Sequence, residues 1–91
     1  MITVRPFLRV GNLKAPGMGG FVIRDSYDFV IKNCRDPYAV DNVNSILHST
    51  HSDNNYAELR LYVTGNPFEG FLLGSFQKIK VGKKYKWVLT P

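Results

Sequence analysis

The chain has 91 residues, of which 44% are hydrophobic, 21% charged and 13% aromatic, and its formal net charge is +5. That length and balance exclude a multidomain enzyme and a disordered tail, and predict one globular domain over residues 1–91. With Cys34 as the only cysteine, no intramolecular disulfide can form, so the reducing cytosol of a cell or of a virus-infected host is the expected compartment.

No run approaches the roughly 18 apolar residues of a membrane span, and Met-Ile-Thr-Val-Arg-Pro at the N-terminus lacks the apolar core of a signal peptide. Neither a membrane segment nor a leader is expected. Charge is segregated along the chain. Residues 1–24 carry Arg5, Arg9, Lys14 and Arg24 without an acid, and residues 70–91 carry Lys78, Lys80, Lys83, Lys84 and Lys86 without an acid. All seven acids lie between them, so a bipolar surface is predicted if the two ends meet.

Ile2 to Val10 alternates with the period of a half-buried strand, Ile2, Val4, Leu8 and Val10 on one face and Thr3, Arg5, Phe7 and Arg9 on the other. Pro6 cannot donate to a ladder and favours an edge strand or a bulge. The polar face sets Phe7 between two guanidinium groups, an arrangement suited to stacking on a base, although a phenyl ring covered by a neighbouring strand has the same pattern. Gly11 to Gly20 holds four of the eight glycines and reads as a loop, without the spacing of a phosphate-binding loop.

Phe21–Asp25 and Asp28–Asn33 read as two short strands of a hairpin around Ser26-Tyr27. Gly-Phe-Val-Ile-Arg-Asp-Ser at 20–26 resembles the arginine-bearing strand of Src-homology phosphotyrosine-binding domains over seven residues. The Trp strand and first helix of that family are missing, so no phosphotyrosine role passes to Arg24.

Asp36-Pro37 predicts a helix start, an Asp cap followed by Pro at the first position. A helix over about 37–48 follows. Its apolar stripe is Ala39, Val40, Val43, Ile46 and Leu47. His48 and His51, with Asp53 near and Cys34 elsewhere, invite a zinc or an acid–base reading, but paired cysteines and a fixed geometry are missing, so no metal or other cofactor is expected.

Tyr56 to Thr64 is a strand with Ala57, Leu59, Leu61 and Val63 inward, followed by a turn at Gly65-Asn66-Pro67. Phe71 to Phe76 begins another, bent at Gly74, with Ile79 and Val81 continuing inward and Lys78 and Lys80 opposite. After Gly82-Lys83 a last strand carries Tyr85, Trp87 and Leu89 on one face and Lys84, Lys86 and Val88 on the other.

The fold class is therefore α+β and β-rich, a small OB-like barrel or an open antiparallel sheet of five to six strands with one helix. Pairing of the first and last segments would join Arg5, Phe7, Arg9, Lys78, Lys80, Lys84 and Lys86 in one basic face. Such a face suits single-stranded nucleic acid, with Tyr85 and Trp87 left as core or surface. The alternative is a protein-interaction module, a virus-encoded inhibitor or assembly subunit that binds a partner or self-associates. No nucleophile, base and orienting group can be matched, so an enzyme is not expected.

Overall fold

The alternation of the first segment is realised in β1 (Val4–Gly11), where Leu8 and Val10 are buried on one face and Phe7 on the other. The computed structural model describes residues 4–12, 18–63 and 70–90; Ile2 and the turn at Gly65-Asn66-Pro67 lie outside them. The remaining elements are β2 (Met18–Val22), α1 (Tyr27–Lys32), α2 (Asp41–Ser49), β3 (Tyr56–Val63), β4 (Gly70–Val81) and β5 (Lys84–Leu89). No described helix is long and apolar enough to cross a membrane.

The strands form one antiparallel sheet in the order β2-β1-β3-β4-β5. It is open, since no described pairing joins its edges β2 and β5 into a barrel. Both helices cover one face. Val30 of α1 and Val43 and Leu47 of α2 meet Leu8, Val10, Ala57, Leu59, Phe76 and Trp87 in the core.

Three local readings change in the folded chain. Asp28–Asn33, expected as a strand after a turn at Ser26-Tyr27, instead falls in α1 and its cap, because Ser26 caps the helix by accepting from the Phe29 N–H at 3.3 Å while Asn33 closes it on the Phe29 carbonyl. The apolar run was misleading: only Val30 is buried, and Tyr27 and Phe29 are exposed. The next helix begins at Asp41 and not at Pro37. Asp36 instead closes a turn by accepting from the Tyr38 N–H at 2.9 Å, and α2 is capped from a distance, by Asp25 accepting from the Asn42 N–H at 3.3 Å. The glycine-rich stretch is shorter as a loop than expected, since Met18–Val22 already forms β2.

Pro6 lies in an interior strand, not on an edge. The Ile23 N–H donates to the Pro6 carbonyl at 3.1 Å, so Pro6 faces Ile23 just past the end of β2, and its missing N–H forgoes only the reciprocal bond to the Ile23 carbonyl, on the side away from β3.

The phase of β4 is also opposite to the expectation beyond Gly74. The register shifts between Leu59 and Arg60, with Gly74 opposite Leu59 and Leu72 opposite Arg60, so Leu73 is the extra residue of a bulge. Phe76, fully buried, then takes the core position, which turns Lys78 and Lys80 to the helix-bearing face and Ile79 and Val81 to the other. β3 pairs with β4 only as far as Gln77. From there the β4–β5 hairpin continues alone, and the 12 residues of β4 span about 40 Å, most of the molecule's 47 Å length.

Candidate nucleic-acid interface

The overhanging hairpin is closed by Gly82-Lys83, where Gly82 has φ +65°. A left-handed glycine at the first loop position suits the primed turns that match strand twist. Beyond β3 the ribbon has no sheet to pack on, and from Lys80 to Lys86 its side chains are exposed on both faces. Lys80, Lys83, Lys84 and Lys86 are all exposed.

Cross-strand pairing of Lys78 with Trp87 and of Lys80 with Tyr85 puts two cations and two rings on the helix-bearing face. Lys84 and Lys86 share the other face with Val81 and Ile79. Lysines and rings that alternate along β5 are thus on opposite faces, as expected, but β4 supplies the rings with cations of their own. Trp87 is core at 5% exposure, whereas Tyr85 is 65% exposed.

Lys78 is held in place. Its Nζ donates to the Ser52 carbonyl at 2.8 Å, 5.5 Å from the Tyr85 ring centre and 5.8 Å from that of Trp87. Both distances are within cation–π range. The Trp87 backbone N–H donates to the Tyr38 hydroxyl at 2.8 Å, which ties β5 to the segment before α2. Between these groups lies an open hollow of about 260 Å³, lined by His48, Thr50, Ser52, Lys78, Tyr85 and Trp87 among others. His48 therefore belongs to this hollow, and His51 lies outside its lining. Among the described residues no three metal-ligating side chains come together.

The other residues of the expected basic face stand apart. β3 and β4 separate β1 from β5, about 14 Å at the usual strand spacing. Arg5 is opposite Tyr62, which is opposite Gly70; Lys80 is ten residues further along β4, about 33 Å away. Phe7 is only 6% exposed. Its ring meets Tyr62 edge-on at 5.3 Å between centres and fills the space that a Cβ on Gly20 would need. Covered on both sides, it offers no stacking surface.

Arg9 is engaged by Glu58 on the helix-free face. Glu58 accepts from Arg9 Nη1 at 3.4 Å, from Arg60 Nη2 at 3.1 Å and from the Tyr56 hydroxyl at 3.2 Å, with its side chain 13% exposed. Burial pushes its carboxyl upward, but the hydrogen bonds and charge of Arg60, the Tyr56 hydroxyl and the charge of Arg9 outweigh that, and the net shift is downward. Tyr56 is raised, first by burial and then by the charge of Glu58.

A carboxyl depressed in the folded state contributes stability that is present above its unfolded value and lost as pH falls through the folded one. Glu58→Gln is expected to cost about 1–3 kcal/mol at neutral pH and to flatten the loss of stability below about pH 4. Urea midpoints measured from neutral to acid pH check this. Parallel curves for variant and wild type would remove Glu58 as the source.

Comparison of the chain with protein-family models, with curated proteins and with solved structures finds no match. Two features of the hairpin escaped a strand-by-strand reading: Lys83, which sits at the turn, and the exposure of Tyr85, which follows from the overhang.

Proposed function

We propose that the protein is a non-enzymatic binding module for single-stranded nucleic acid, acting in the cytosol through the β4–β5 hairpin. One observation carries this reading: the exposed Tyr85 ring shares a face with Lys78 and Lys80, on a ribbon that also bears Lys83, Lys84 and Lys86. The lysines neutralise phosphates and release counterions, and the ring stacks on a base for about 1–3 kcal/mol. A duplex hides its base faces, so it would use the charges and leave Tyr85 idle. The arginines of β1 fall outside this proposal.

A labelled oligothymidine and a duplex of equal length, titrated by fluorescence anisotropy at two salt concentrations, test it. If five lysines each neutralise a phosphate, affinity for the single strand should fall roughly 100-fold between about 50 and 200 mM salt. The duplex should bind more weakly.

A second reading, a protein-interaction module such as a virus-encoded inhibitor or assembly subunit, is favoured by an apolar ledge at the far end of the sheet. There Phe71 is 80% exposed and Val4 43%, beside Leu61 and Tyr62. The same titration separates the two. Oligonucleotides left unshifted at low salt would end the nucleic-acid proposal and leave the ledge reading.

A further inference from the structure

The two edges of the sheet differ in chemistry. β5 is lined by Lys84 and Lys86 and flanked by Lys83, so two such edges would oppose lysine to lysine. β2 reads Met-Gly-Gly-Phe-Val and carries no charge. Among the described residues nothing pairs with its outer side.

The hydrogen-bond phase of β2 follows from one contact. The Ile23 N–H donates to Pro6, which continues the register Phe7 to Val22 and Leu8 to Phe21. Amides that point to β1 alternate along an antiparallel strand, so those of Gly19, Phe21 and Ile23 point inward. The N–H and C=O groups of Met18, Gly20 and Val22 point out of the sheet.

We propose that β2 is a self-association edge that pairs antiparallel with β2 of a second copy about a two-fold axis at Gly20. In that register Gly20 exchanges both of its backbone bonds with Gly20 of the second copy, and Met18 and Val22 exchange theirs with Val22 and Met18. Six outward groups on each of two identical edges are matched by one rotation, the self-complementarity of an isologous contact. On the helix-bearing face Phe21, 42% exposed, lies opposite Gly19 of the second copy, whose lack of a side chain leaves it room. Like charges do not meet, because the lysine hairpins end up at opposite extremes of the doubled sheet. This inference is independent of the nucleic-acid reading and is tested without oligonucleotide.

Sedimentation across the micromolar range should show the mass rising from one chain towards two and stopping there. Amide exchange should slow with concentration at Gly20 and Val22 and stay constant at Gly19 and Phe21. Val22→Pro removes an outward N–H that β1 does not use, and should give a folded monomer. If Val22→Pro fails to fold, Gly19→Lys decides, since a Cβ there meets nothing closer than 3.6 Å and its lysine would project against Phe21 of the second copy. A single-chain mass at all concentrations would overturn the proposal. So would growth beyond two chains, concentration-independent exchange at Gly20 and Val22, or a folded variant that still dimerises.

Discussion

Replacing Lys80, Lys83, Lys84 and Lys86 together by glutamine is expected to take the salt slope of single-strand binding from about −3.5 to about −0.7, leaving Lys78 as the one hairpin cation. All four are exposed on a ribbon that β3 does not reach, so the fold should be unaffected, and circular dichroism with a thermal melt checks that. Tyr85→Ala is expected to behave in the opposite way. Affinity should fall roughly 5- to 150-fold, the loss of one stacked base, while the slope is preserved. Charge and stacking are thereby separated in two variants. A quadruple variant that binds with the wild-type slope would show that the phosphates are held elsewhere, and the hairpin would lose its assigned role.

Phe76→Ala should destabilise the domain by about 3–5 kcal/mol, against a total that for small domains is on the order of 5–15 kcal/mol. Phe76 is fully buried at the centre of the two-layer core, opposite Ala57 and packed beneath the helices. Its removal leaves a cavity that neighbouring β-ladders hold open. The effect should spread to the hairpin, because the same side chain sets the phase that turns Lys78 and Lys80 towards Tyr85. A urea midpoint within error of the wild type would contradict this placement.

Strands with one buried face and one wet face were legible from sequence, because alternation is a local pattern. Leu8 and Val10 in β1, and Ala57, Leu59 and Leu61 in β3, are buried as their spacing predicts. The apolar stripe of α2 was legible for the same reason, with Val43 and Leu47 buried, and Val40 buried just before the helix. Its start was not, since Asp25, sixteen residues before Asp41, supplies the cap, and long-range caps leave no local signature. α1 was misread because Phe29, Val30 and Ile31 favour strands intrinsically. Ser26 and Asn33 closed a helix around them when burial of Val30 needed only one apolar position.

The candidate site divides along the same line. Phe7 between two arginines looked like a stacking ring. Folding instead covers it with Tyr62 and the bare backbone of Gly20, and gives Arg9 a carboxylate partner in Glu58.

By itself the sequence determined that the last 22 residues would be basic and free of acid, with Gly82-Lys83 as the turn of a hairpin. Tertiary structure alone decided what that hairpin presents. The bulge at Leu73 and the burial of Phe76 choose which face the lysines of β4 take, and the core shared with α2 reaches Trp87 but not Tyr85, two residues before it. The physical reason is that alternation specifies only that neighbouring side chains point opposite ways. Which way is inward depends on where the rest of the chain lies.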